Sequence, residues 1–183
     1  MMPEISLNIL DVAQNSVTAG AKLTEIDIIA DTAADTLEVV ISDNGKGMTA
    51  EQVGQATDPF FTTRTTRKVG LGVPFLKMAA ELTGGCFSIE SAPGKGTITK
   101  AVFGLSHIDR MPVGDIAGTM TVLIGSNPDI DFILRYSAGV NAFELDTNEL
   151  RAILEGIPLS QPEVLAYITG FINENMDAAG ARL

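Results

Sequence analysis

The amino-acid sequence predicts an α+β fold: a two-layer sandwich in which helices cover one face of a mixed, mostly antiparallel sheet. Two observations predict it. Helical periodicity and strand alternation follow one another over residues 1–105 in the order helix, two strands, short helix, loop, helix, two strands. Of the 183 residues, 45% are hydrophobic, which is enough to build a core. We place a domain boundary near residue 105, followed by a small α+β extension over residues 106–183.

The first helix is predicted from Glu4 to Ala19, and Gly20 can end it. Its apolar residues recur every four positions, at Ile5, Ile9, Ala13 and Val17. Residues 24–30 and 37–42 alternate apolar and polar side chains on either side of the turn "DTAADT". They therefore predict a pair of antiparallel strands.

The middle of the chain predicts two helices and a hairpin. Thr49 and Gln52 have the spacing of a capping box for a short helix over residues 50–56. A longer helix is predicted over residues 72–83, with an apolar stripe at Leu71, Phe75, Met78, Ala79 and Leu82. The segments "CFSIES" and "TITKAVF" are predicted strands, joined by the turn "APGKG".

The extension after residue 105 carries a weaker pattern. Residues 116–125 form a short apolar run that is compatible with a helix or a strand. "IDFILRY" and "NAFELD" flank "SAGV" as a predicted hairpin, and residues 147–154 and 162–176 are predicted helices. Three roles stay open for the extension: packing against the first domain, forming a homodimer, or docking a partner. We assign it no chemistry.

The composition excludes several classes of function. The net charge is −11, and so acidic a surface repels phosphate backbones, which argues against a nucleic-acid partner. No apolar stretch reaches the length of a membrane span, and the N-terminus lacks the features of a signal peptide. The single cysteine, Cys86, excludes an internal disulfide, and we expect it to be a small buried residue. We therefore expect a cytoplasmic protein with no membrane partner.

Two polar residues of the first helix form the first candidate site. Asp11 and Asn15 are spaced i, i+4 and so share one face, with Thr18 near them. An amide oxygen can ligate Mg²⁺, which takes its other ligands from water and phosphate. A carboxylate one turn away can orient or deprotonate a water molecule. A solvated polar face is the alternative interpretation.

The segment "DNGKGM" forms the second candidate site. Asp43 follows a strand and offers an acceptor for an exocyclic amine such as that of adenine. Gly45 and Gly47 would let the backbone approach a flat ring closely. A hairpin turn is the alternative, because Asp-Asn-Gly is also good turn chemistry.

Two further segments are suited to anions. The loop "TTRTTRK" places Arg64, Arg67 and Lys68 within five positions, which suits phosphates, although an ordinary exposed loop has the same appearance. Gly70 and Gly72 precede a helix whose N-terminal N–H groups can receive an anion. The chain has no Walker loop and no complete G-x-G-x-x-G motif.

In this order the four segments resemble the ATP-binding domain shared by sensor histidine kinases, the DNA gyrase B subunit, MutL proteins and the large heat-shock ATPase chaperones, known as the Bergerat fold. "DVAQNSVTAGA" is similar to the N box, "DNGKGM" to the G1 box, "DPFFTT" to the F box and "VGLGVPFLK" to the G2 box. The resemblance covers residue 4 to about residue 104. It implies Mg²⁺ and ATP as ligands, with Asn15 on the metal, Asp43 on adenine and Asp11 as the catalytic carboxylate. The nucleotide-binding residues that it implies are Asn15, Asp43, Gly45, Gly47, Met48, Phe60, Thr62, Thr63, Arg64, Lys68, Gly70, Leu71 and Gly72.

The sequence departs from the family pattern at two places. Gyrase and MutL carry glutamate at the position of Asp11 and hydrolyse ATP with it, and histidine kinases often carry lysine at the position of Thr18. The lid between the F and G2 boxes, residues 58–69, is short, as in histidine kinases. The resemblance is therefore closest to the sensor histidine kinase branch.

Histidine kinases also need a phosphoacceptor histidine on a helical hairpin. We expect none before residue 4, and the one histidine, His107, lies outside any helical pattern. The resemblance thus implies phosphorylation of a partner protein in trans, on histidine, or on serine or threonine as in anti-sigma-factor kinases. A slow ATPase and a non-enzymatic ATP-dependent switch remain the alternatives.

Overall fold

The computed structural model describes residues 2–57 and 72–179. Its helices and strands are α1 (Ile5–Thr18), β1 (Leu23–Asp31), β2 (Thr36–Asp43), α2 (Ala50–Ala56), α3 (Gly72–Leu82), β3 (Cys86–Ser91), β4 (Thr97–Gly104), α4 (Ile116–Ser126), β5 (Asp131–Ala138), β6 (Asn141–Asp146), α5 (Thr147–Leu154) and α6 (Pro162–Ala178). The predicted helices and strands are all present, and the predicted loop between α2 and α3 lies outside the described residues. The segment that was compatible with a helix or a strand is a helix, α4, whose first turn is capped by the Asp115 carboxylate accepting from Gly118 N at 2.7 Å.

The strands form one six-stranded sheet in the order β3-β4-β2-β1-β5-β6. The pairs β1–β2, β2–β4, β3–β4 and β5–β6 are antiparallel, and β1–β5 is parallel. The predicted α+β class with a mixed, mostly antiparallel sheet is confirmed. Because β5 pairs directly with β1, residues after 105 extend the same sheet, while the domain division at residue 105 stays a prediction.

The two faces of the sheet differ in polarity because side chains alternate along each strand. On the inner face the strands bury apolar side chains such as Ile28, Val39, Phe103 and Leu134. Helices cover this face: α1 contacts β2, α3 contacts β3 and β4, and α4 contacts both α1 and α6. Burial of these side chains removes apolar surface from water and is the main stabilising term for the layer.

Charged side chains cross the strands on the outer face. Arg135 donates to Glu25 from Nη1 and to Glu144 from Nε, each at 2.6 Å, and so links β5 to both of its neighbours. Hydrogen bonds to Glu25 and Glu144 raise the pKa of the Arg135 guanidinium. Since the group is well exposed, the network helps to fix the strand register more than it adds to stability.

Two expectations about burial were wrong. Met78 and Leu82 of the predicted α3 stripe are 49% and 50% exposed, because the helix instead buries the face that carries Leu76 and Ala80 against α1 and the sheet. Leu71 of the same stripe lies outside the described residues. Cys86 is exposed rather than buried, since β3 is an edge strand and Cys86 is on its outward side.

Among the helices that the structure describes, none combines the length and the apolar character needed to cross a membrane. The longest, α6, buries Val164, Ile168 and Ile172 against the rest of the chain. The apolar core runs without a break from α1 and α3 into α4 and α6.

The shared core predicts that α4 stabilises the whole fold. Met120 is fully buried, so Met120→Ala should lower the free energy of unfolding by about 2–5 kcal/mol in urea titration. Val122 lies on the same helix and is 52% exposed, so Val122→Ala is the matched control and should cost less than about 1 kcal/mol. Equal losses for the two variants would contradict burial of α4 in the core.

Candidate functional site

A cavity of about 410 Å³ lies between α1, α2, the end of β2 and the strands β3 and β4. Its described lining residues are Val12, Asn15, Ser16, Thr18, Ala19, Ile41, Asp43, Lys46, Gly47, Met48, Gln52, Gln55, Ala56, Val73, Ile89, Thr97 and Thr99. Two candidate sites that are 28 residues apart in the sequence therefore meet in one cavity: Asn15 of α1 and Asp43 of β2. A volume in this range is typical of small-molecule sites.

Asp43 is the last residue of β2, and its carboxylate is held at both oxygens. Ser16 Oγ donates to Asp43 Oδ2 at 2.8 Å, and Gly45 N donates to Oδ1 at 2.8 Å. An ionised carboxylate has about four acceptor positions, so capacity remains for a ligand donor. The two protein donors fix the plane of the carboxylate in the cavity wall.

The loop after Asp43 is packed against the β3–β4 turn with no spare volume. Gly47 has φ +67°, and a Cβ there would lie 2.0 Å from the Ala92 carbonyl oxygen. Gly96, on the turn, has φ +79°, and a Cβ there would lie 1.8 Å from the Asp43 carbonyl oxygen. Gly94 N also donates to Lys46 O at 2.7 Å. These glycines make room for the protein's own backbone, and the predicted approach of a flat ring to Gly45 and Gly47 stays a prediction.

Ser91, at the end of β3, also holds the loop through hydrogen bonds. Met48 N donates to Ser91 Oγ at 2.9 Å, and Ser91 Oγ donates to Gly96 O at 2.7 Å. Met48 also lines the cavity. The β3–β4 hairpin therefore sets the position of the cavity wall that follows Asp43.

Three hydroxyl-bearing residues of the cavity were missed by the sequence analysis: Ser16, Thr97 and Thr99. Ser16 lies at a buried position of α1 and is 3% exposed, and Thr99 is 2% exposed on the inner face of β4. The sequence did contain a signal for such residues. A hydroxyl side chain at a position that the apolar pattern of the helix or strand predicts to be buried is a candidate for a polar role.

Asp11 and Gly72 lie against one another, and neither is among the described residues that line the cavity. A Cβ on Gly72 would lie 2.5 Å from Asp11 Oδ2, so only glycine fits where α3 begins against α1. The Asp11 carboxylate is thereby placed at the positive N-terminus of α3, where negative charge is stabilised. The side chain of Asp11 lies beside Gly72. That the N–H groups at the start of this helix receive a ligand anion stays a prediction.

The remaining candidates fall outside the described residues: Phe60, Thr62, Thr63, Arg64, Arg67, Lys68, Gly70 and Leu71. In residues 2–57 and 72–179, Lys46 is the one cation that lines the cavity. His107 is exposed in a turn after β4, and its Nδ1 accepts from Asp109 N at 3.2 Å. It lies outside any helix, in agreement with the sequence-based expectation.

The chain belongs to the family described as histidine kinase-, DNA gyrase B-, and HSP90-like ATPase, which matches residues 4–107. It is 31% identical over 105 residues to a putative sensor histidine kinase NtrY-like protein of Rickettsia typhi, covering 57% of this chain and 17% of that protein. It is 42% identical over 62 residues to the sensor histidine kinase ZraS of Klebsiella oxytoca, covering 34% of this chain and 13% of that protein. The chain thus spans less than a fifth of either relative.

The fold of the chain is also found in a solved structure. The N-terminal domain of a DNA repair protein matches with a TM-score of 0.52 and 16% identity, covering 79% of this chain and 52% of that chain. The resemblance stated from the four sequence boxes is confirmed. The chain carries an ATP-binding domain of the histidine kinase type.

The contact between Gly47 and Ala92 predicts an unequal effect of two glycine substitutions. Gly47→Ala adds both a left-handed strain and a clash with the Ala92 carbonyl, so it should cost about 2 kcal/mol or more in the free energy of unfolding. Gly94→Ala is the matched control, since Gly94 has φ +73° but no atom lies within 4 Å of the position that its Cβ would take, and it should cost about 1 kcal/mol. Equal costs in urea titration would show that the loop and the turn are not closely packed.

Proposed function

We propose that this chain binds Mg-ATP in the cavity and transfers the γ-phosphoryl group to a partner protein in trans. The observation that carries the proposal is that Asp43 and Asn15 line the same cavity. Asp43 is suited to binding a purine, and Asn15 is suited to binding the cation on a phosphate chain. The similarity of residues 4–107 to sensor histidine kinases supports phosphoryl transfer as the reaction.

Adenine is proposed to lie against Asp43, with its exocyclic amine donating to the carboxylate. The cavity is suited to a flat, largely apolar ring, since Ile41, Met48, Val73 and Ile89 line it. Thr97 and Thr99 add hydroxyl groups to the same region. A mostly apolar pocket with a few fixed polar groups is the usual form of a site that binds a base.

Asn15 is proposed to hold Mg²⁺ through its side-chain oxygen. Within residues 2–57 and 72–179 no three His, Cys, Asp or Glu side chains are clustered in a way that could bind a metal. A cation at Asn15 would therefore take its remaining ligands from phosphate oxygens and water, as Mg²⁺ commonly does. When bound, Mg²⁺ would neutralise phosphate charge, which matters in a chain of net charge −11.

Phosphoryl transfer would proceed by attack of a partner side chain on the γ-phosphorus. The new bond forms to a histidine nitrogen or a serine or threonine oxygen, the bond to the β–γ bridging oxygen breaks, and ADP leaves. Asp11 is proposed to accept the proton of a hydroxyl acceptor. Arg64, Arg67 and Lys68 are proposed to stabilise the charge on the transferring group.

One observation favours a second function, an ATP-dependent switch. The Asp11 carboxylate packs against Gly72 at the start of α3 and is not among the cavity residues. An acid in that position could couple the occupancy of the cavity to the segment before α3 without activating water. Cytoplasmic location, a homodimer, and the lack of nucleic-acid and membrane partners stay predictions.

The proposed transfer is tested with γ-labelled ATP and Mg²⁺, with the protein alone and with cell extract. The wild-type chain should place label on a partner protein, and Asp43→Ala should lower that labelling at least tenfold, or about 1.4 kcal/mol, because it removes a hydrogen bond to a charged group. Glu38→Ala is the matched control, since Glu38 is on β2 but pairs with Lys100 on the outer face at 2.8 Å. It should leave labelling unchanged.

Each of the other possible results of this labelling experiment would favour a different function. Free phosphate without labelled protein would contradict the kinase and favour a slow ATPase. Bound ATP with neither product would favour the switch. Failure of the wild-type chain to bind ATP would overturn the assignment of the cavity itself.

A further inference from the structure

Ser16 is a buried hydroxyl that none of the four sequence boxes assigns a role. It is 3% exposed, lines the cavity, and donates from Oγ to Asp43 Oδ2 at 2.8 Å. The hydrogen bond joins α1 to the end of β2 across 27 residues of sequence. Ser16 lies beside the Asp43 carboxylate, which is proposed to bind the base. It is therefore a candidate for controlling which base binds.

The carboxylate of Asp43 has limited capacity left for a ligand. Oδ2 accepts from Ser16, and Oδ1 accepts from Gly45 N at 2.8 Å. Since a carboxylate has about two acceptor positions on each oxygen, each oxygen retains about one. The two donors on different elements also prevent rotation of the carboxylate plane.

Adenine and guanine present different hydrogen-bonding groups to a carboxylate. Adenine presents an amine donor at position 6, whereas guanine presents an acceptor oxygen there and carries its donors further along the same edge. A carboxylate that can rotate is able to accept from two adjacent guanine donors through both oxygens. A carboxylate whose plane is fixed by Ser16 and Gly45 cannot turn both remaining acceptor positions toward the two guanine donors. It is therefore suited to a single amine, and it repels the guanine oxygen.

We infer that Ser16 is a positioning residue that fixes the Asp43 carboxylate for one amine donor and thereby selects adenine over guanine. The inference rests on the proposed binding of ATP in this cavity. Ser16 acts through Asp43 and is not proposed to contact the nucleotide. Loss of its hydroxyl should free Oδ2 and let the carboxylate turn.

The test is isothermal titration of the full chain with three nucleotides: ATP, GTP and purine riboside triphosphate, which lacks the 6-amino group. Ser16→Ala should weaken ATP about tenfold, because the hydrogen bond to Asp43 involves a charged group. It should change the affinity for purine riboside triphosphate by less than about twofold, since that ligand has no amine to place. The preference for ATP over GTP should fall by about tenfold or more.

A matched control separates this role from general support of α1. Ser6 is also a buried serine of α1, 1% exposed, and its Oγ donates to a carboxylate, Glu4 Oε2, at 3.1 Å, but it does not line the cavity. Ser6→Ala should leave all three affinities within about twofold of wild type. Circular dichroism and a urea titration of Ser16→Ala without nucleotide report whether it is folded under the titration conditions.

The outcomes are distinguishable. Equal loss of affinity for ATP and purine riboside triphosphate would overturn the inference, because Ser16 would then support the cavity without orienting Asp43 toward the amine. Unchanged affinity for ATP would overturn it as well, as would an unfolded Ser16→Ala, which would assign the hydroxyl to stability. Failure of the wild-type chain to bind ATP would overturn the proposed function, whatever the result for Ser16.

Discussion

Asp43 is the residue at which three parts of the chain meet. Its side chain accepts from Ser16 of α1 and from Gly45 of the following loop, each at 2.8 Å, and its carbonyl group leaves no room for a Cβ on Gly96 of the β3–β4 turn. Asp43 is partly buried, and removing charge from water is costly unless it is hydrogen-bonded, so these donors offset that cost. The shape of the cavity therefore depends on one carboxylate being held at one angle.

The sheet makes this arrangement possible because it brings distant segments to the same end of the molecule. β2 lies between β1 and β4, so Asp43 is flanked by Thr24 on one side and Thr97 on the other. α1 crosses the inner face next to α3, which places Asn15 opposite the end of β2 and Asp11 against Gly72. The helix thus contributes to the cavity and to the start of α3 through residues one turn apart.

Much of the fold could be predicted from the sequence because its signals are local. The capping box at Thr49 and Gln52 and the hairpins are contained within short segments and are confirmed. The parallel pairing of β5 with β1 joins segments more than 100 residues apart, and no local pattern reports it. The motifs predicted that Asn15 and Asp43 belong to one site, and both line the same cavity. The role of Ser16 as a donor to Asp43 depends on the packing of α1 against the sheet, which no local sequence pattern reports.

The most direct test of the central claim is a crystal structure of the chain with Mg²⁺ and a non-hydrolysable ATP analogue. We predict that the 6-amino group of adenine lies within hydrogen-bonding distance of the Asp43 carboxylate and that Asn15 Oδ1 ligates the metal. A nucleotide bound with its base away from Asp43, or a metal held without Asn15, would contradict the account.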